Sequence, residues 1–188
     1  RQEVSERLSQ DMFNLSKPKA DQSYLVKKGI QLHDGVFEDK HRNIVIPAYD
    51  ENGKIWANQT IYPDGNKRFT AGGKKEGNFH VVGGLEHLNS SDVIIIAEGY
   101  ATAATLKEAS NRPVVAAFDS GNLKTVAEKL HQKYPDKPII IAGDDDVHRT
   151  LEKKPNVGRT KAINAADSVN GIAVFPIFPK EKIGEKSC

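Results

Sequence analysis

The run Val93-Ile94-Ile95-Ile96-Ala97-Glu98-Gly99-Tyr100 decides the fold. Five uninterrupted apolar residues make a strand covered on both faces, as a parallel sheet requires, and the run then breaks into an acid, a glycine and a helical pattern over residues 100–110. The same texture returns in Val114-Val115-Ala116-Ala117-Phe118, in Ile139-Ile140-Ile141-Ala142 and in Ile172-Ala173-Val174-Phe175. Amphipathic helical patterns over 123–134 and 158–169 lie between them, and Pro113, Pro135 and Pro138 punctuate the returns from helix to strand. This alternation predicts βαβ units with right-handed crossovers, an α/β fold built on a parallel sheet flanked by helices.

Upstream the texture differs. Ile44-Val45-Ile46-Pro47-Ala48-Tyr49 reads as a strand, Asp50-Glu51-Asn52-Gly53 as a hairpin turn, and Lys54 to Tyr62 as the returning strand. A second turn at Pro63-Asp64-Gly65-Asn66 precedes a short strand around Arg68-Phe69-Thr70. The glycine-rich segment 71–77 then leads to Phe79-His80-Val81-Val82, so residues 30–82 read as a small mixed, mostly antiparallel β subdomain. The spacing of Val4, Leu8 and Phe13 predicts a helix that packs its apolar face on the rest and ends near Pro18. The boundaries that follow are 1–23 for an amino-terminal helical segment, 24–90 for the β subdomain and 91–188 for the α/β domain.

Acids collect where the strands of the second half end. Glu98 closes the first apolar run, and Asp144-Asp145-Asp146 follows Gly143 after the third. Open α/β sheets bind ligands at their carboxyl edge, and alternation in an extended segment turns Asp144 and Asp146 to one side with Asp145 opposite. If crossovers set the third strand beside the first, Glu98, Asp144 and Asp146 converge. Three clustered carboxylates repel one another unless a cation neutralises them, and hard oxygen donors favour Mg²⁺ or Mn²⁺ over Zn²⁺. The plainer reading stands beside this one: an acid after a strand also caps a helix or stays solvated, and 144–146 also reads as an acidic turn. Asp119, in Asp119-Ser120-Gly121-Asn122, reads equally as a border of such a site or as a helix cap.

Composition narrows the classes. The chain has 188 residues and a formal net charge of +2, so no strong overall field announces a nucleic-acid or membrane partner and any basic site is local. A hydrophobic share of 38% against 28% charged residues excludes disorder for most of the chain. The single cysteine, Cys188, excludes an internal disulfide and a cysteine-rich zinc site, and the six histidines show no metal-ligand spacing. No apolar run reaches a bilayer-spanning length and residues 1–20 are too polar for a signal peptide, which predicts no membrane partner and a cytoplasmic protein. Counting Asp144 as position one of an EF-hand puts Arg149 where glycine belongs and Pro155 where the bidentate glutamate belongs. Neither G-x-x-x-x-G-K-[ST] nor G-x-G-x-x-G occurs, which removes the main support for P-loop and Rossmann readings. The chain opens on Arg1 and closes in the polar run 180–188, and is expected to be a piece of a longer protein.

The segment Ile94 to Tyr100, followed by Asp144-Asp145-Asp146 at 46 positions after Glu98, resembles the TOPRIM domain shared by bacterial primases, topoisomerases and some nucleases. Residues 43–84 resemble the subdomain that precedes TOPRIM in bacterial and plasmid primases, which topoisomerases lack, and the likeness over residues 24–179 is greatest to plasmid- and phage-type primases of the TraC-like group. The resemblance implies that Glu98, Asp144 and Asp146 are the catalytic metal ligands and that Gly99 permits a tight strand-to-helix turn. It also implies that Arg68 beside Phe69, and Lys75, face nucleotide or template, with Lys67 and Lys74 adjacent. Without it, these four cations read as a solvated loop, and Trp56 as a packing residue of the hairpin.

The implied function is that of a DNA primase core, making short RNA primers on single-stranded DNA from nucleoside triphosphates with Mg²⁺ or Mn²⁺, with a replicative helicase as a further partner. A metal-dependent TOPRIM nuclease and a degenerate nucleic-acid-binding module are the competing readings. Two departures bear on them. A long segment, 147–156, separates the D-x-D acids from Gly158-Arg159-Thr160-Lys161, leaving the roles of His148, Arg149, Arg159 and Lys161 open. A further acidic motif expected after the last strand is not matched by Glu181 or Glu185, and residues 1–23 do not resemble the zinc-binding module expected upstream in complete primases.

Overall fold

The structure, a computed structural model, describes residues 2–144 and 156–176. Nine strands form two sheets among the described residues. The first sheet is an antiparallel meander of β1 (Phe37–Glu38), β2 (Ile44–Tyr49), β3 (Ile55–Ile61) and β4 (Lys67–Phe69), in that order. The β2–β3 hairpin pairs Ile44 with Ile61 and Tyr49 with Ile55, with a register shift at Ala48/Tyr49. Asp50 holds its turn, accepting from Asn52 N, from Lys54 N and from Trp56 Nε1 at 2.8 Å, so Trp56 is a hairpin-packing residue.

The second sheet has the order β5-β7-β6-β8-β9, with β5 His80–Val82, β6 Ile94–Ala97, β7 Val114–Ala116, β8 Ile139–Ala142 and β9 Ile172–Val174. Strands β6 to β9 are parallel and β5 runs antiparallel to β7. The sequence places 79–82 in the antiparallel subdomain; its antiparallel partner is instead β7 of the second sheet, His80 opposite Ala116. One bridge joins the two sheets, Tyr49 and Phe79 exchanging both backbone hydrogen bonds at 2.9 and 3.0 Å.

Helix α1 (Gln2–Asp11) lies on β3 and buries Leu8, and its Ser5 hydroxyl donates to the Ile55 carbonyl. Phe13, expected on its buried face, is 89% exposed, because a 3-10 turn over Met12–Asn14 rotates it outward. Helix α2 (Ser23–Lys28), unforeseen in the sequence, starts where the Gln22 side chain accepts from Tyr24 N and Leu25 N and stops at Gly29, whose φ of 63° is left-handed. Helix α3 (Tyr100–Ser110) sits on one face of the second sheet, sharing a core with Ile44 and Ile46 of the first. Helices α4 (Leu123–Lys133) and α5 (Val157–Asp167) cover the other face against Ile94, Ile96, Ile139 and Ile141. The parity is strict: Ile94 and Ile96 enter one core while Ile95 and Ala97 face the other, as pleating demands. Strand β9 departs from the expected two-sided cover, since it is an edge strand with Ile172 64% exposed. Among the described residues no helix is long and apolar enough to cross a membrane.

Candidate active site at the carboxyl edge of the parallel sheet

The chain passes from β6 outward to β7 and then returns across β6 to β8, so β6 sits at the switch point, where α/β sheets open a crevice. Glu98 follows β6 directly, and Asp144 follows Gly143 after β8. The register pairs Ala97 with Ala142, which places the two acids at the same edge on adjacent strands. Asp146, the third acid of the sequence reading, lies outside the described residues together with Asp145, His148 and Arg149. Among the described residues no three His, Cys, Asp or Glu side chains cluster as a metal site.

Gly99 caps α3 at φ −116° and ψ 163°, extended backbone that any residue adopts, and a Cβ there would meet no heavy atom within 4 Å. The turn therefore does not require the glycine. The N-cap glycine itself offers no side chain to the first turn of α3, whose dipole is positive at this edge. Gly143 is different: a Cβ would lie 2.5 Å from Ala162 Cβ on α5 and 2.7 Å from the Phe175 ring. The β8 end reaches its position because α5 packs directly on backbone there.

The four cations of the expected patch separate. On β4, alternation turns Lys67 and Phe69 to one face and Arg68 to the other. Burial holds Lys67 below the ordinary lysine value, helped by the like charge of Lys28, while Asp144 and Glu98 pull it back up. Lys67 is exposed as a residue, so solvent moderates this balance, but both acids act on it. Phe69 meets Phe118 edge-on at 5.3 Å between ring centroids. Arg68 stands instead over the Tyr62 ring at 5.9 Å, and Lys74 is exposed on its loop with its backbone N–H bound to the Trp56 carbonyl. Lys75 reaches the sheet edge, where its ammonium pairs with Asp119 and lies 5.8 Å from the Phe69 ring centre. The structure thus sets Glu98 and Asp144 at one edge with both charges acting on Lys67, sets Lys75 beside the end of β7, and turns Arg68 to the other face of β4.

Asn122 is the residue that sequence reasoning passed over as an ordinary cap. It is 2% exposed; its Oδ1 accepts from Gly77 N at 2.8 Å and its Nδ2 donates to the carbonyls of Asn78 at 3.0 Å and Ala117 at 2.8 Å. The loop carrying Lys75 is thereby tied to the end of β7. Partners 44 and 45 positions apart leave no local signal for this bond set. A cavity of about 770 Å³ lined by Met12, Leu32, Phe37, Tyr49, His80 and Leu85 shares no residue with the acidic edge.

Residues 93–184 match the family described as Toprim domain. Over 173 residues the chain is 51% identical to DNA primase TraC of Escherichia coli, covering 92% of this chain and 16% of that protein. A second DNA primase TraC of Escherichia coli is 49% identical over 176 residues, 93% of this chain and 12% of its own length. The chain therefore spans less than a fifth of the curated relatives it matches. Among solved structures it is similar to the primase fragment of the bacteriophage T7 primase-helicase protein, at 20% identity and a TM-score of 0.54, with 87% of this chain and 64% of that one covered.

Proposed function

We propose, from the match of residues 93–184 to the Toprim domain, that this chain is the catalytic core of a DNA primase, joining ribonucleotides into short primers on single-stranded DNA in plasmid or phage replication or transfer. The observation that carries the proposal is the delivery of Glu98 and Asp144 to one edge by adjacent parallel strands, with Lys67 close enough for both to act on its charge. Half of the chain's residues are shared with proteins named DNA primase, along nearly its whole length, which favours the primase reading over a nuclease. The division at 1–23, 24–90 and 91–188 belongs to the same proposal, with the β subdomain and the Toprim domain facing one cleft.

In such a reaction the primer 3′-hydroxyl gives up its proton to solvent and its oxygen bonds to the α-phosphorus of the incoming triphosphate, while the bond from that phosphorus to the bridging oxygen breaks and pyrophosphate leaves. Glu98 and Asp144, with Asp146, are the hard oxygen donors that suit Mg²⁺ or Mn²⁺, and such an ion supplies neutralisation of the phosphate charge and alignment of the two reacting oxygens. Lys67 and Lys75 meet phosphate oxygens from the side, and the start of α3, with a glycine as its N-cap, offers backbone N–H groups to the same anion. Arg68 over Tyr62 presents a cation on an aromatic face, a surface suited to the template strand rather than the reacting phosphate. A cytoplasmic location, nucleoside triphosphates as substrates and a replicative helicase as partner complete the proposal.

Metal-dependent dinucleotide synthesis by the wild type and by Glu98→Gln tests it. Synthesis lost in the variant with its melting temperature retained supports the assignment. Unchanged synthesis removes Glu98 from the site, and cleavage of DNA without any nucleotide requirement replaces the primase reading by the nuclease one.

A further inference from the structure

The end of β7 is built at a cost that its own stability does not explain. After Ala117 the backbone of Phe118 turns to φ 75°, a left-handed conformation that a bulky residue seldom adopts and that costs about 1–2 kcal/mol. The turn packs the Phe118 ring against Phe69 and aims the next residue, Asp119, at Lys75. Each Asp119 oxygen has a distinct partner. Oδ1 accepts from Asn122 N at 3.0 Å, which fixes the carboxylate rotamer, and Oδ2 takes the Lys75 ammonium. Asn122 in turn clamps the loop that carries Lys75 through Gly77 and Asn78. Both partners remain open to solvent, with 36% of the Lys75 side chain and 41% of the Asp119 side chain exposed, and an ion pair that wet contributes little to stability.

A strained backbone and a fully engaged buried amide thus converge on holding one exposed ammonium. We infer that Asp119 is a positioning residue: it fixes Lys75 at the carboxyl edge so that the ammonium meets an oxyanion of the incoming nucleotide or the template phosphate. An ammonium carries three N–H donors and Asp119 engages one, so two remain for phosphate oxygens. The Phe69 ring under the ammonium closes off one of the directions in which it could swing away. This inference rests on the nucleotidyl-transfer reading and adds to it the residue that sets where the phosphate is received.

Asp119→Asn isolates the charge, since the amide oxygen still accepts from Asn122 N and the cap is preserved. The test is a double-mutant cycle of the wild type, Asp119→Asn, Lys75→Ala and the double variant, reading kcat/KM for the nucleoside triphosphate in dinucleotide synthesis. Asp119→Asn is expected to lower kcat/KM about 10-fold with the melting temperature within about 2 °C of wild type. In the Lys75→Ala background the same change is expected to alter kcat/KM by less than about 2-fold, because the residue it acts through is already gone. A loss of equal size in both backgrounds, or no loss in the single variant, overturns the inference.

The Lys75 ammonium cross-peak in ¹⁵N-resolved NMR at low temperature gives a readout that needs no activity. It is expected in the wild type, where the pair slows proton exchange, and absent from Asp119→Asn; its absence from the wild type also overturns the inference. Absence of dinucleotide synthesis by the wild type with the cross-peak present instead strikes the functional reading and leaves the positioning of Lys75 standing.

Discussion

Substituting alanine for Gly143 tests how the β8 end, and with it Asp144, is placed. The added Cβ would lie 2.5 Å from Ala162 Cβ and 2.7 Å from Phe175 Cε1, at least about 0.7 Å inside ordinary carbon–carbon contact on both sides. Neither neighbour yields freely. Ala162 is fully buried on α5, and the Phe175 ring carries the Arg159 guanidinium 4.2 Å from its centre. Relief therefore requires α5 to shift away from the strand end, an overpacking that costs about 2 kcal/mol, or about 4–8 °C of melting temperature for a chain of this size. Gly99→Ala is the internal control: its φ of −116° suits alanine and nothing lies within 4 Å, so the change costs at most about 1 kcal/mol as a weaker helix cap. Thermal unfolding followed by far-ultraviolet circular dichroism reads both variants. A Gly143→Ala melting temperature within about 1 °C of wild type, or a loss no greater than that of Gly99→Ala, refutes the packing argument.

Two other perturbations follow from the same geometry. Asn122→Ala leaves the Gly77 N–H and the Asn78 and Ala117 carbonyls without their side-chain partner in a buried site, a loss of about 3 kcal/mol that a urea unfolding curve reads as a lower midpoint at unchanged slope; a loss below about 1 kcal/mol contradicts the clamp. Burial pushes the His80 imidazole down to about 4 although the Pro47 carbonyl accepts from its Nδ1, so the unfolded chain binds this proton more readily than the folded one. The stability tied to neutral His80 is complete above the unfolded value near 6.5 and is lost as pH falls toward 4, by about 3 kcal/mol in all. Asp39, Asp50 and Glu51, raised by burial but lowered further by their hydrogen-bond donors, add their own loss only below about pH 4.5, so the window from 6.5 to 4.5 reports His80. A urea midpoint that stays flat across that window, or one that slopes equally in His80→Gln, contradicts this assignment.

The strands of the second sheet were legible because burial on both faces leaves no room for polar residues in Ile94–Ala97 or Ile139–Ala142, and the carboxyl-edge acids were legible for the same reason, as the first polar residues after each run. The helix over Tyr100–Ser110 matches its sequence pattern to the residue. What pairing decides was not legible. The segment 79–82 carries nothing local that assigns it to one sheet or the other, and only the cross-strand partner Ala116 settles it. The run 114–118 looks uniformly apolar, yet the strand stops at Ala116, because Phe118 takes a left-handed backbone that no composition rule foretells. Phe13 was read by spacing as inward, but its helix ends at Asp11, before the period reaches it. The expected basic residues divide for a simple reason: adjacent residues on a strand point to opposite faces, which separates Lys67 from Arg68. Asp119 and Asn122 were visible only as caps, since their long-range partners lie in the 75–78 loop.

Calorimetric titration of Mn²⁺ into the purified chain, beside the Asp144→Asn/Asp146→Asn variant, tests the metal-bearing edge most directly. Saturable binding in the wild type that disappears in the variant, with its melting temperature retained, is the predicted result. No binding in the wild type, or binding of equal strength in the variant, contradicts a metal site built on these acids.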